Sequence, residues 1–190
     1  LQKFKALYGV ELEMSDGNLD IVVNPNDKFL EDSTYVIFDT ETTGFNAGLS
    51  DSMIEIGAVK MKDGAIIENF DELINPGHSI DPEITKLTGI SNSLVSGCPN
   101  EEEVTKKFKD WIGDLPLVAQ NAKFDRSMLE MAYQKYNLGT LDNTILDTMV
   151  ISQIINKDLK RHSLTALTKN YGITFEENDG SDNGEKHHHR

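Results

Sequence analysis

The sequence predicts an α/β layer fold built on a mixed sheet, and two patterns carry that expectation. Between Tyr35 and Ile74, three apolar-rich segments of strand character follow one another with short connections and read as an antiparallel meander. From Leu117 onward, a short strand-like run gives way to segments of helical period. A meander followed by strand and helix implies a sheet of mixed direction flanked by helices. The chain has 190 residues, 38% of them hydrophobic, enough for one globular domain with a real core and an additional flank.

In chain order, Leu1 to Tyr8 has a helical pattern stopped by Gly9. Val10 to Met14 and Leu19 to Val23 then read as a hairpin around the turn Ser15-Asp16-Gly17-Asn18. Asn24-Pro25-Asn26-Asp27 is a linker signal, so residues 1–33 are expected to be a flanking segment, cut from something larger. The main domain is expected over residues 34–175, with a polar, mobile tail over 176–190.

Within the main domain, strands are predicted over Tyr35 to Glu41, Met53 to Met61 and Ile66 to Ile74, with Lys62-Asp63-Gly64 turning the last two. Asp81 and Pro82 are a cap and a first helical residue for a helix to Leu87, and Asn100 caps a stronger helix to Trp111. Leu117 to Gln120 is a short strand. Helices are predicted over Phe124 to Tyr136, Ile145 to Ile155 and Ser163 to Tyr171, the last ended by Gly172.

No apolar run reaches membrane-spanning length and no signal peptide opens the chain, so a cytoplasmic protein without a membrane partner is expected. The single Cys98 excludes an internal disulfide and reads as a small packed residue. A net charge of −14 argues at first against nucleic acid, whose affinity comes mostly from Lys and Arg on phosphates. A protein that grips only a strand end through metal ions needs few such contacts. The charge is also uneven: from Lys157 to Lys169 there are four basic residues and one acid, Asp158, either a local positive patch or a solvated helix face.

The chemistry concentrates at Asp39-Thr40-Glu41, where an apolar strand ends in two acids. Residues i and i+2 of a strand share a face about 6.6 Å apart along the backbone, close enough to serve hard divalent cations. No Lys or Arg lies nearer in sequence than Lys28 or Lys60, and buried carboxylates need a pair or a metal. A third acid, Asp125, follows Asn121, which is the expected cap of its helix. Phe124, Met128 and Ala132 should face the core, leaving Asp125 at the rim, where the helix dipole would keep it ionised for a metal or would simply be complemented by it. Asp147 opens the next helix, and capping explains it better than catalysis. His162 reads as a surface or substrate-side residue.

Phe38-Asp39-Thr40-Glu41-Thr42-Thr43-Gly44, followed by Ile54-Glu55-Ile56-Gly57-Ala58, resembles the first motif of DnaQ-like exonucleases of the DEDD superfamily. Asn121-Ala122-Lys123-Phe124-Asp125 resembles their second, and Leu87-Thr88-Gly89-Ile90, Leu146-Asp147-Thr148 and His162-Ser163-Leu164 fall in the expected order. The likeness spans about residues 34–173 and is nearest to the proofreading exonuclease domains of PolC-type bacterial replicative polymerases. It implies a ribonuclease H-like fold, with a mixed five-stranded sheet flanked by helices. Gln120 stands where a His often precedes the Asn, and Thr88 where dedicated proofreading subunits carry a His.

The resemblance also implies the chemistry. Two Mg²⁺ or Mn²⁺ ions would be held by Asp39, Glu41 and Asp125, with Asp39 shared between them. His189, the last His before Arg190, would be the general base of the DEDDh branch, its Asp partner lying beyond Arg190, unless the histidines are a tag remnant. Thr42 and Phe124 would contact the terminal nucleotide. The expected activity is metal-dependent 3′–5′ removal of nucleoside 5′-monophosphates from a single-stranded or frayed DNA 3′ end, as the proofreading domain of a replicative polymerase, with polymerase domains and replisome as partners. Unpairing would select mismatches, since a mispaired end frays most readily. The alternatives are an exoribonuclease of the same superfamily, a catalytically incomplete interaction domain, and a metal-free acidic binding module.

Overall fold

The computed structural model describes residues 21–25, 33–44 and 51–173. The helix and most of the hairpin expected before residue 21, and His189, lie outside the described residues. The described strands form one six-stranded mixed sheet in the order β1-β6-β5-β2-β3-β4. They are β1 (Val22–Val23), β2 (Tyr35–Thr42), β3 (Met53–Lys62), β4 (Ala65–Leu73), β5 (Leu117–Ala119) and β6 (Ile145–Asp147). The helices are α1 (Pro82–Thr88), α2 (Asn92–Val95), α3 (Glu101–Ile112), α4 (Lys123–Lys135), α5 (Thr148–Ile155) and α6 (Leu164–Tyr171).

The expected meander is present: β2 pairs antiparallel with β3, and β3 with β4. Asp63 and Gly64 join β3 to β4, with φ of +52° and +75°, the left-handed pair that a two-residue hairpin of matching twist requires. β5 then runs parallel to β2, and β6 parallel to β5, so β2, β5 and β6 all end at the same edge.

Two expectations about the sheet are corrected. It has six strands rather than five. Ile145–Asp147 is strand and not the start of a helix, because its backbone pairs with β5 on one side and with Val22–Val23 on the other. The flank is thereby tied to the domain: Thr144 Oγ1 donates to the Asn24 carbonyl at 2.6 Å, and Asn24 Nδ2 to the Leu141 carbonyl at 3.2 Å. The four-residue α2 was not foreseen.

Period-two alternation along β2 buries Val36, Phe38, Thr40 and Thr42 and leaves Ile37 and Asp39 exposed. The buried face packs on α3 and α4 through Val104, Phe108, Ile112, Met128, Leu129 and Ala132, so Met128 and Ala132 face the core as expected, with Phe124 partly buried beside them. Asn100 and Glu103 form a reciprocal capping box that starts α3. Glu101, only 6% exposed, accepts from the Met53 amide at 2.9 Å and from Lys135 Nζ and the Tyr136 hydroxyl at 2.7 Å each. One buried carboxylate therefore ties α3 to β3 and α4. A smaller core of Ile54, Ile80, Ile90 and Val95 seats α1 beside the start of β3. Cys98 is a free, half-buried thiol, as expected. Among the described residues no helix is long and apolar enough to cross a membrane.

Candidate active site

The shared edge of β2, β5 and β6 opens into a cleft of about 950 Å³. Crevices at the carboxyl ends of parallel strands are where α/β sheets place their ligands. Asp39, Glu41 and Asp125 all line this cleft, and so do Thr42 and Phe124. The sequence-predicted residues that can be seen are therefore brought together. Gln120 and Thr88, the two departures from the expected motif, also line it, along with Ile84 and Leu87 of α1 and Ser163, Leu164, Thr165 and Thr168 at α6.

Asp125 is set differently from the expectation. It is 4% exposed, and its Oδ1 accepts from the Thr40 amide at 2.9 Å and the Thr40 hydroxyl at 2.7 Å. Burial, with the Asp39 charge adding to it, raises its pKa from 3.8 to about 7 against the opposing pull of Thr40. The helix dipole does not hold it ionised, because removal from water outweighs a partial charge at a helix end. Thr40 is thus a site residue that sequence reasoning missed. The available signal was its place between the two acids, on the buried side of an alternating strand.

Asn121 does not cap α4. Its φ of +58° makes it a left-handed corner, Ala122 is the first boundary residue, and no side chain caps the helix. Asp147 holds the turn ahead of the helix instead. Its Oδ1 accepts from Asn121 N at 3.0 Å and Met149 N at 2.9 Å, and its Oδ2 from Ala122 N at 3.0 Å. The capping reading of Asp147 holds at α5, and the same carboxylate also anchors the turn that leads into α4. His162 is an anchor: its Nδ1 lies 2.9 Å from Ser152 Oγ, and Gln120 Nε2 donates to its carbonyl at 2.7 Å.

The donor chemistry of Asp39, Glu41 and Asp125 is all hard oxygen, which suits Mg²⁺ or Mn²⁺ over soft metals. The side chains lining the cleft include no Lys or Arg among the described residues. They are not gathered as a finished cage, since no three His, Cys, Asp or Glu among the described residues stand together as a metal-holding group. The reason is local: Asp125 is turned into Thr40, while Asp39 leaves the opposite face of the strand.

Two solved structures and two relatives set this geometry in context. Exonuclease X in complex with 5′ overhanging duplex DNA superposes with a TM-score of 0.62 at 26% identity, covering 81% of this chain and 80% of that one. Product-bound exonuclease I superposes with a TM-score of 0.66 at 18% identity over 75% of this chain and 39% of that one, a likeness of fold. In sequence, the chain is 40% identical over 186 residues, 98% of its length, to DNA polymerase III PolC-type of Latilactobacillus sakei. It is 39% identical over 173 residues to that of Listeria monocytogenes. The chain spans 12% of the length of each of these two relatives. Residues 36–187 match the profile of the family described as Exonuclease, and with its ribonuclease H-like sheet and its acid-lined cleft this chain belongs to the exonuclease family.

Proposed function

We propose that the cleft performs metal-dependent 3′–5′ exonucleolysis on DNA, releasing nucleoside 5′-monophosphates, as the proofreading part of a replicative polymerase. The observation that carries the reading is the convergence of Asp39, Glu41 and Asp125 on one crevice at the ends of parallel strands. In this reading the three carboxylates would hold two Mg²⁺ or Mn²⁺ ions, which would supply positive charge for activating water and for the departing 3′ oxygen. Thr42 turns the chain beside the site, its hydroxyl donating to the Gly44 carbonyl at 2.6 Å. Phe124, with the exposed side chains of Leu87 and Leu164, offers apolar surface on which a terminal base can rest. His189 serves as the general base, a role that rests on the motif resemblance alone. The similarity to PolC-type polymerases supports polymerase domains as neighbours and a DNA strand as substrate.

The test is digestion of a 5′-labelled single-stranded DNA by the full-length protein in Mg²⁺, Mn²⁺ or EDTA, with a matched RNA in parallel. A metal-dependent ladder shortening from the 3′ end, with mononucleotides released, is expected, and Asp39→Ala should abolish it. Preference for the RNA would favour an exoribonuclease, and absence of any metal-dependent ladder would leave the cleft an interaction surface.

A further inference from the structure

At the end of the sheet opposite the cleft lies a second cavity, of about 640 Å³. Gly113 and Asp114, ahead of β5, and Asn143 and Thr144, ahead of β6, line it, so it sits at the amino ends of strands whose carboxyl ends border the cleft. Lys109 and Asp110 of α3, Tyr133 of α4, and Asn24 and Pro25 of the flank belong to the same wall.

Hydrogen-bond donors in this wall are spent, and acceptors are left over. Asn24 gives its Nδ2 to the carbonyls of Leu141 and Asn143 at 3.2 and 3.3 Å, and Asn143 gives its own to those of Gly113 and Leu115 at 2.8 Å each. The Thr140 hydroxyl donates to Asp142, and the Thr144 hydroxyl to the Asn24 carbonyl. Lys109 Nζ, 5.5 Å from the centre of the Tyr133 ring, donates to the Leu138 carbonyl. Among the described residues, the side-chain oxygens of Asn24 and Asn143 have no donor, and Asp110, Asp114 and Asp142 have no ion pair.

Tyr133 marks the inner wall. It is 2% exposed, and its hydroxyl has no hydrogen-bond partner among the described residues. The ring packs in the main core while also lining the cavity, so the orphaned group stands where core meets cavity. Burial, with the charge of Asp110 on the same wall adding to it, pushes the phenol up to about 12. Buried polar groups nearly always have a partner, and an unpartnered one beside a polar cavity points to a ligand that supplies it.

We propose that this cavity is a docking site for an arginine side chain carried by a protein packed against the end of the domain away from the cleft. A guanidinium has five donors in a planar fork and no acceptor, the complement of a wall with surplus acceptors. Three acids against the single Lys109 leave that wall net negative, matched to its charge. In the two polymerases of which this chain spans 12%, a domain of this kind sits among a much larger body of protein. Asn24 and Pro25, where the flank joins the domain, are on this wall, so chain outside the sheet already meets the domain here. Protein seated on this end leaves the way into the cleft open. The proposal goes beyond the exonuclease reading and stands without it.

The test is a titration of the ¹⁵N-labelled chain with acetyl-arginine-N-methylamide, followed by amide NMR shifts. Acetyl-citrulline-N-methylamide, a neutral isostere, and spermidine run in parallel. Amides of Asp110, Gly113, Asp114, Asn143 and Thr144 should move with the arginine probe, and those of Asp39 to Thr42 at the cleft should not. The citrulline probe should bind about 10-fold more weakly, because charge-assisted hydrogen bonds are about twice as strong as neutral ones. Tyr133→Phe should weaken the arginine probe about 10-fold yet unfold at the same or a higher urea concentration, since it deletes a hydroxyl that has no partner in the free protein. Asp110→Asn/Asp142→Asn should weaken it by about 10-fold as well, whereas Asp158→Asn, an exposed acid off this wall, should not change it. The proposal is overturned by shifts absent from the wall or confined to the cleft, by a citrulline probe as tight as the arginine one, or by wild-type binding in Tyr133→Phe or in the double variant. Spermidine bound as tightly at this wall would make the ligand a polyamine and overturn the protein side chain. None of these readouts uses mononucleotide release, so failure of the exonuclease reading leaves them unchanged.

Discussion

Replacing Asp125 with Asn keeps one oxygen for both hydrogen bonds from Thr40 and removes the charge that burial penalises. A carboxyl with pKa raised from 3.8 to about 7 keeps its proton in the folded protein after the unfolded chain has released it. Between those two pH values the unfolded state binds fewer protons than the folded one, so metal-free stability falls as pH rises. At 1.36 kcal/mol per tenfold, the loss across the window is on the order of 4 kcal/mol, and above pH 7 it is complete. Asp125→Asn has no such loss. The amide nitrogen that replaces the second oxygen costs about 1 kcal/mol if it finds no acceptor. The variant should therefore be slightly less stable than wild type near pH 4 and roughly 3 kcal/mol more stable near pH 8, the difference growing steadily between. Urea unfolding in EDTA at a series of pH values measures this, and the wild-type-minus-variant difference removes the other titrating groups. Adding Mn²⁺ at pH 8 should stabilise wild type by about 2.7 kcal/mol at one hundred times its dissociation constant and leave the variant unmoved. A difference that stays constant from pH 4 to 8, or a variant destabilised at pH 8, would refute the buried, proton-holding account of Asp125.

Two structural carboxylates give further expectations. Asp147→Ala removes the acceptor for the amides of Asn121, Ala122 and Met149 and should cost about 3 kcal/mol in urea unfolding, with Asp147→Asn recovering part of it. A loss below about 1 kcal/mol accompanied by loss of Mn²⁺ binding would instead make Asp147 a ligand. Glu101→Ala leaves the Met53 amide and the Tyr136 hydroxyl without their acceptor and strands Lys135, for about 3 kcal/mol by thermal or chemical unfolding. A near-neutral result there would show that water replaces the carboxylate and that the α3–β3–α4 tie is weak.

Much of this protein was legible because its signals are local. The alternation of Tyr35 to Glu41 shows a half-buried strand, Asp63-Gly64 a hairpin turn, Asp81-Pro82 and Asn100 with Glu103 helix starts, and Gly172 a helix end. The boundary at Ile145–Asp147 was not legible, because Ile145 to Ile155 is one apolar run and its first three residues become strand only by pairing with β5 and Val22–Val23. The cap of α4 failed for the same reason: Asn121 has a capping side chain, but its backbone is left-handed, and the turn before the helix is held instead by Asp147, 25 residues away from Ala122. The position of Asp125 likewise depends on Thr40, 85 residues distant.

By itself, the sequence determined most of the strands and helices, the acids that line the cleft and the family to which the chain belongs, since each is a pattern over a few adjacent residues. Only the tertiary structure decided the environment of those acids. It turned Asp125 into a buried, proton-holding partner of Thr40 and made Asp147 both the cap of α5 and the anchor of the turn that leads into α4. Burial, hydrogen-bond partners and charge neighbours belong to residues far apart in the chain, and no local pattern encodes them.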